Sequence, residues 1–197
     1  MRLSYSKTSP YARKVLITLA EFGLIDQVEM IAVNPLAEGG AESLANPLGK
    51  IPILQLSDGT ALFDSRVICS YLTQLHGGAP DSPDCDHWAV QRAQALGDGV
   101  LDAAFNIVME RRRDDANQSE HWLARWENAI LRSLPEIEKD IAARPEPFDI
   151  GQVTYACVFG YLDFRLPHIA WRERYPTMSD WWQMICQRES VANSVPV

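Results

Sequence analysis

The stretch of residues 46–65, NPLGKIPILQLSDGTALFDS, decides how the first part of the chain folds. Its residues 53–56 favour a short strand, and the following SDGT has the composition of a hairpin turn. Residues 61–63 then return as the antiparallel partner, and Asp64 and Ser65 supply the polar side chains that begin a helix. The stretch therefore predicts a β-hairpin that leads directly into a capped helix.

Pro52 is the unusual residue of this stretch, because it stands where the first strand begins. Proline cannot donate to a β-ladder, so it fits a strand start, an edge or a bulge, and it is a candidate for a cis peptide bond. Such a start leaves the backbone of Ile51 free to pair with an extended small peptide, while the amides after Ser65 hold a carboxylate. The same residues are equally consistent with an ordinary hairpin and a capped helix.

The composition is that of a globular protein. The chain has 197 residues, 47% of them hydrophobic, which suffices for the core of one large or two small domains. No apolar run approaches the roughly 18 residues of a membrane span, and the start MRLSYS lacks the apolar stretch of a secretory signal. We therefore expect a cytoplasmic protein without a membrane partner.

Metal, nucleotide and disulfide chemistry are not expected from the motifs. The cysteines show neither a C-x-x-C motif nor metal-ligand spacing with histidine, so we expect reduced thiols and no metal. They are Cys69, Cys85, Cys157 and Cys186. The glycine-rich phosphate-binding motifs are also missing from the sequence, so we expect no nucleotide cofactor.

The net charge of −8 is carried mainly by the later part of the chain. Residues 1–78 hold 6 basic and 7 acidic side chains, whereas residues 79–197 hold 12 and 19. The basic cluster at residues 111–113 stands at a predicted helix end before two aspartates, which is typical of a solvated helix terminus. Phosphate binding needs a basic face, so nucleic acid is not an expected partner.

Residues 1–78 alternate between strand and helix patterns. Residues 2–6 favour a strand, and the letters TSP at residues 8–10 begin a helix with a hydroxyl cap followed by proline at the first helical position. Gly23 ends that helix, and residues 27–33 favour a second strand. With the hairpin and its helix, this order predicts a thioredoxin-like βαβ-ββα domain.

Beyond a linker rich in proline and aspartate at residues 79–86, strand signals nearly vanish, so residues 87–197 predict an all-helical domain. Its helices are expected at about residues 87–112, 119–143, 154–166 and 177–189. Pro135 should kink or divide the second of these. All six tryptophans lie in this domain, and we expect them to fill its core.

These features have a counterpart in a known family. The segment GKIPIL, followed twelve residues after its proline by Asp64 and Ser65, resembles the glutathione-binding half of the cytosolic glutathione transferases. The resemblance covers essentially the whole chain. It implies an α/β thioredoxin-like N-terminal domain followed by an all-α C-terminal domain, a homodimer, and glutathione as a co-substrate with no other cofactor. Detoxification of small hydrophobic electrophiles is the implied activity.

The resemblance implies a role for each residue around the hairpin. Ile51 should pair with the cysteinyl backbone of glutathione, and Pro52 should be cis. Asp64 and Ser65 should bind the γ-glutamyl end. Lys50 would reach the glycyl carboxylate, although a solvated loop lysine explains that residue equally well.

Ser9 is the candidate for activating the glutathione thiol. A free thiol with a pKa of about 8.5 is only a few per cent ionised at neutral pH, so the protein must stabilise the thiolate. A hydroxyl at a helix N-terminus has the chemistry for this, although the local sequence by itself indicates only an N-cap. In cysteine-type family members a cysteine precedes this proline, so the resemblance favours Ser9. Thr8 is the neighbouring alternative, and Tyr5 is a third.

The resemblance also carries an expectation for the second substrate and one departure. The electrophile pocket should lie between the domains, at Tyr11, Phe105, Met109 and Trp171. The family usually carries a capping box S/T-x-x-D in a buried helix, whereas this chain has Thr154-Tyr155-Ala156-Cys157. A thiol is a poor reciprocal acceptor, so we expect a weakened cap at Thr154, which Cys157→Asp should repair.

Two classes of function follow. A glutathione S-transferase would hold glutathione as its thiolate for attack on an electrophilic carbon. A non-catalytic binding or regulatory module of the same fold, or a glutathione-dependent reductase or isomerase, is the alternative. Serine at position 9 cannot form a mixed disulfide, which argues against thiol–disulfide exchange as the main reaction.

Overall fold

The structure, a computed structural model, describes residues 1–77, 87–144 and 146–196. The chain divides into two compact units. The first unit joins Met1–His87 with Glu189–Val197, and the second is Trp88–Arg188. The linker predicted at residues 79–86 lies outside the described residues.

The first unit is built on a mixed sheet of four strands. They are β1 (Arg2–Tyr5), β2 (Glu29–Ala32), β3 (Ile53–Gln55) and β4 (Ala61–Leu62). In the order β2-β1-β3-β4, the pair of β1 and β2 is parallel and the other two pairs are antiparallel. This topology confirms the predicted thioredoxin-like domain.

Two helices, α1 (Pro10–Glu21) and α2 (Ser65–Leu75), pack against each other, and α2 also contacts β3. Their apolar faces are buried as the helical spacing predicts: Val15, Leu19, Ile68 and Leu72 are each 0% exposed. Burial of such a side chain contributes roughly 1.5–3 kcal/mol. The predicted end of α1 is confirmed at Gly23, whose φ of +64° is the left-handed conformation that favours glycine.

The second unit is helical, which confirms the all-α domain. Its helices are α3 (His87–Glu110), α4 (Glu120–Ala143), α5 (Ile150–Arg165), α6 (Trp171–Arg174) and α7 (Pro176–Ile185). The predicted division of α4 at Pro135 is wrong, because the helix is continuous through that residue. Proline removes one backbone donor there, but Leu134 and Ile137 on either side are fully buried and hold the helix by packing.

Helix α5 begins four residues earlier than the sequence predicts. Asp149 is its N-cap, and the carboxylate Oδ1 accepts from the amides of Gly151 (2.8 Å) and Gln152 (3.1 Å). Thr154 lies inside the helix, where its hydroxyl donates to the Ile150 carbonyl (2.7 Å). The predicted capping box at Thr154 is therefore wrong, since a carboxylate one turn earlier already satisfies the first amides.

Aromatic packing organises the second unit, but not with every tryptophan. The Phe159 ring stacks on Trp171, with centroids 4.4 Å apart, and meets the edges of Trp181 and Trp182 at 5.9 and 6.0 Å. Core filling is thus confirmed for these three. It is wrong for Trp88 and Trp122, which are 77% and 48% exposed.

A short helix near the C-terminus, α8 (Glu189–Ala192), packs against α1 and so belongs to the first unit. The sequence pattern instead placed residues 177–189 in one helix and extended the helical domain to residue 197. Helix α7 ends at Ile185, and Val191 of α8 is 1% exposed. The first unit therefore contains residues from both ends of the chain.

Among the described residues, no helix combines the length and apolar character of a membrane span. The same residues contain no group of histidine, cysteine, aspartate and glutamate side chains placed to hold a metal ion. Cys69 and Cys157 are buried, and Cys186 is half-buried. Cys85 lies outside the described residues.

Candidate functional site

The sheet register brings three separate segments to one end of the first unit. Ser4 of β1 lies opposite Ile53, the first residue of β3, so the chain leaving β1 and the chain entering β3 meet at the same end. Leu62 of β4 lies opposite Leu54, so the chain leaving β4 reaches that end as well. These are the segments in which the sequence places its site residues, at positions 8–9, 50–52 and 64–65.

Ser9 occupies the N-cap of α1 and is half-buried. Its Oγ accepts from the Ala12 amide at 3.2 Å, and its own amide donates to the Ser6 carbonyl at 3.2 Å. A hydroxyl that accepts through a lone pair still has its proton to donate. Capping of α1 and donation to a bound anion are therefore compatible at Ser9, and the positive end of the helix favours the anion.

Thr8 and Tyr5 are placed differently from Ser9. The Thr8 hydroxyl lies 3.3 Å from the Ser6 hydroxyl, and either of the two oxygens can be the donor. Tyr5 is the last residue of β1 and is half-buried. Of the three candidate donors, Ser9 is the one whose hydroxyl bonds to the start of α1.

The Ile51–Pro52 peptide bond is cis, as predicted, and Pro52 is buried. In the part of the chain that the structure describes, no hydrogen bond engages the Ile51 backbone, so its amide and carbonyl remain for an added strand. This is the condition that β-strand addition by an extended peptide requires.

Asn46 organises the loop before Pro52, and the sequence analysis did not single it out. It is 3% exposed, its Nδ2 donates to the Lys50 carbonyl (2.9 Å), and its Oδ1 accepts from the Leu48 amide (3.0 Å). The Asn-Pro pair at residues 46–47, with Gly49 two residues later, is a turn signal from which the role of Asn46 could have been predicted. By fixing the Lys50 carbonyl, Asn46 sets the conformation that leads into Ile51.

Asp64 is the N-cap of α2, as predicted, with Oδ1 accepting from the Arg66 amide at 3.0 Å. The carboxylate is exposed, whereas Ser65 is only 3% exposed. The first amides of a helix have no partner within the helix, so this start can hold an anionic group beside a carboxylate that attracts a cation. A ligand end that carries both a carboxylate and an ammonium group fits these helix amides and the Asp64 carboxylate.

The remaining predicted residues divide between the two units. Lys50 is exposed in the first unit, and in the described residues no ion pair involves its ammonium group. Tyr11 also belongs to the first unit, on α1. Phe105 and Met109 are half-buried one turn apart on α3, while Trp171 is 2% exposed and donates its indole N–H to Asp163 at 2.9 Å. Packing thus commits most of the Trp171 ring to the core.

Two family models match the chain. One describes the N-terminal domain of glutathione S-transferases and matches residues 8–75. The other describes their C-terminal domain and matches residues 120–183. The matched ranges contain every predicted glutathione residue. Of the expected electrophile residues they contain Tyr11 and Trp171, whereas Phe105 and Met109 of α3 lie outside them.

Relatives of known sequence and structure resemble the chain over its full length. The GST-like protein YibF of Escherichia coli (strain K12) is 32% identical over 201 residues, covering 100% of this chain and 98% of that protein. A glutathione transferase family member from Pseudomonas fluorescens Pf-5, solved with S-(propanoic acid)-glutathione bound, is 37% identical, with full coverage of both chains and a TM-score of 0.89. A glutathione S-transferase from Methylobacillus flagellatus KT, solved with glutathione bound, is 36% identical, covering 100% and 99% of the two chains, with a TM-score of 0.89.

Proposed function

Because the chain belongs to the glutathione S-transferase family, we propose that it binds glutathione in its first unit and joins the glutathione sulfur to a small hydrophobic electrophile. The observation that carries this proposal is the start of α1, where the Ser9 hydroxyl caps the helix and keeps its proton for a bound thiolate. The two relatives solved with glutathione or its S-conjugate support the choice of ligand.

Glutathione would lie across the end of the sheet. The free amide and carbonyl of Ile51 pair with the cysteinyl backbone, as an added strand would. Asp64 binds the γ-glutamyl ammonium group, and the amide at Ser65 holds the γ-glutamyl carboxylate. Lys50, exposed beside this segment, reaches the glycyl carboxylate.

Catalysis would consist of making the thiolate available and holding it. Bound glutathione releases its thiol proton to solvent, and the Ser9 hydroxyl donates to the resulting sulfur anion. A hydrogen bond to a charged group contributes roughly 1.5–3 kcal/mol, equivalent to about one to two pKa units. The thiolate then attacks an electrophilic carbon, a carbon–sulfur bond forms, and the electron pair leaves with the departing group or is protonated.

The second substrate and the wider setting are parts of the same proposal. Phe105 and Met109, half-buried one turn apart on α3, would contact the electrophile. A homodimer would cover the two large apolar side chains that α2 exposes, Val67 and Leu75, which are 48% and 49% exposed. Removal of reactive electrophiles in the cytoplasm is the role that follows.

The experiment is a titration of the ultraviolet absorbance of the thiolate in the glutathione complex, for wild type, Ser9→Ala and Thr8→Ala. Wild type should show the thiolate at neutral pH. Ser9→Ala should bind glutathione but raise the pKa of the bound thiol by about one to two units, with turnover of an activated aryl halide falling roughly tenfold to a hundredfold at pH 7.

The Thr8→Ala variant is the matched control, because it removes a neighbouring hydroxyl outside the N-cap. A shift confined to Thr8→Ala would assign the donor to Thr8. Glutathione binding without any thiolate at neutral pH in wild type would identify a binding module. Disulfide exchange gained by Ser9→Cys would show that the site accepts reductase chemistry once a thiol is present.

A further inference from the structure

Residues 189–196, the C-terminal segment, are part of the unit that carries Ser9. Their helix α8 packs against α1, with Ser190 and Val191 only 6% and 1% exposed. The match to the C-terminal family model ends at residue 183, before this segment. Its contacts with α1 are nevertheless specific.

The Arg13 side chain connects α1 to the C-terminal segment. The side chain is buried, with the residue 3% exposed. Its Nη2 donates to the Val191 carbonyl at 3.2 Å, and its Nε donates to the Ser194 hydroxyl at 3.3 Å. Arginine presents these donors in a rigid planar fork, so two acceptors fix the orientation of the group.

A second contact lies farther along α1. Glu21 accepts a hydrogen bond from the Ser190 hydroxyl. Arg13 and Glu21 are eight residues apart on one helix, a rise of about 12 Å. The C-terminal segment is therefore fastened to α1 at two points, one near each end of the helix.

Arg13 also belongs to the helical turn that presents Ser9. The Arg13 amide donates to the Ser9 carbonyl at 3.0 Å, and the neighbouring Ala12 amide donates to the Ser9 hydroxyl at 3.2 Å. One residue thus bonds to Ser9 through its backbone and to the C-terminal segment through its side chain. A displacement of the guanidinium group would disturb the turn whose first hydroxyl is Ser9.

We infer that Arg13 is a positioning residue, through which the C-terminal segment holds the first turn of α1 and fixes the Ser9 hydroxyl relative to the bound thiol. This rests on the proposed function, in which Ser9 donates to the thiolate. Stabilisation of an anion by a hydroxyl depends on distance and angle, so a looser turn weakens it even when glutathione still binds.

Hydrogen exchange in the full-length protein tests whether the C-terminal segment holds the first turn of α1 in place. Arg13→Gln should raise exchange of the amides in the first two turns of α1 about tenfold, and Arg13→Lys, which keeps a donor but loses the fork, should give a smaller rise. Ser194→Ala removes one acceptor and should raise exchange a few-fold. Asn193→Ala is the matched control, because this exposed neighbour has a long 3.4 Å contact with Glu189 within its own segment.

The pH profile of kcat/KM for the electrophile, measured at saturating glutathione, tests whether Arg13 positions Ser9. In Arg13→Gln the apparent pKa of the bound thiol should rise by about half a unit to one unit, so turnover at pH 6.5 falls roughly threefold to tenfold and recovers by pH 9. The KM for glutathione should stay within about twofold. A role in stability alone would lower the melting temperature and leave the pH profile in place, which would overturn the inference.

Different results would refute the proposed function and the positioning role of Arg13. A wild-type protein with no thiolate at neutral pH would overturn the proposed function and, with it, the positioning of Ser9 toward a thiol. A wild-type thiolate combined with an unchanged pH profile in Arg13→Gln would leave the proposed function standing and overturn the role of Arg13. Should Arg13→Gln fail to fold, Arg13→Lys and Ser194→Ala decide the same question by the same measurements.

Discussion

Replacing Cys157 by aspartate should destabilise the protein strongly, although the capping-box pattern predicts the opposite. Cys157 lies about two turns into α5 and is 0% exposed. Asp149 already caps the helix, and Thr154 donates to the Ile150 carbonyl instead of capping. A carboxylate at position 157 would therefore satisfy no open amide and would lose its hydration in a packed interior.

The magnitude follows from this burial. Leaving a buried charge without a partner costs about 3–5 kcal/mol, and protonation of the group keeps the cost from rising further. For a chain of 150–250 residues, 1 kcal/mol corresponds to roughly 2–4 °C in melting temperature. We expect Cys157→Asp to lower the Tm by roughly 6–20 °C, with greater loss as pH rises from 5 to 8, because the unfolded chain ionises this carboxyl while the folded chain keeps it protonated.

Calorimetry with urea unfolding monitored by circular dichroism gives the measurement. Cys157→Ser is the control for polarity without charge and should cost less, about 1–3 kcal/mol. Asp149→Ala should cost at least about 1 kcal/mol, since it removes the cap that α5 uses. A higher Tm for Cys157→Asp, together with no effect of Asp149→Ala, would refute this reasoning and place the start of α5 at Thr154.

Three further variants test the site and the packing. Asp64→Ala should weaken glutathione binding tenfold to a hundredfold in calorimetric titration, because a charge-assisted contact contributes roughly 1.5–3 kcal/mol; unchanged affinity would remove that assignment. Gly97→Ala should destabilise by about 1–3 kcal/mol in urea unfolding, since its Cβ would lie 2.7 Å from a methyl carbon of α5. Its control Gly99→Ala, whose Cβ would meet nothing within 4 Å, should stabilise by about 0.5–1 kcal/mol. Burial is the largest cause of a raised pKa at Tyr155, and the Asp140 carboxylate raises it further. The neutral phenol therefore makes its full contribution to stability below pH ~10, and this contribution falls above pH ~10 by up to about 1.4 kcal/mol per pH unit. Tyr155→Phe should flatten that fall, and parallel stability curves in alkali would contradict the assignment.

The sequence by itself determined the features that are satisfied within one or two turns of chain. Ser9 and Pro10 begin α1, Gly23 ends it, and Asp64 begins α2, as their local patterns predict. A cap accepts from amides two or three residues away, and a left-handed glycine needs only its own backbone. Such groups are neighbours in sequence, so the pattern of residues is enough to place them.

The candidate site was predicted as residues but not as an arrangement. The residues Ser9, Ile51, Pro52 and Asp64 were identified from local chemistry and family resemblance. Their meeting at one end of the sheet depends on the register of Ser4 against Ile53 and of Leu54 against Leu62. Register is set when strands bury a common face, and a single strand does not contain that information.

Only the tertiary structure decided where α5 begins, which tryptophans are buried and what α8 packs against. Along α5 the residues are buried on all sides from Gly151 to Leu162, so no polar face marks the first turn, whereas Trp88 on α3 is 77% exposed. The contact of Arg13 with Val191 joins residues 178 positions apart. Burial depends on surfaces supplied by distant parts of the chain, and their free energy enters only once those parts meet.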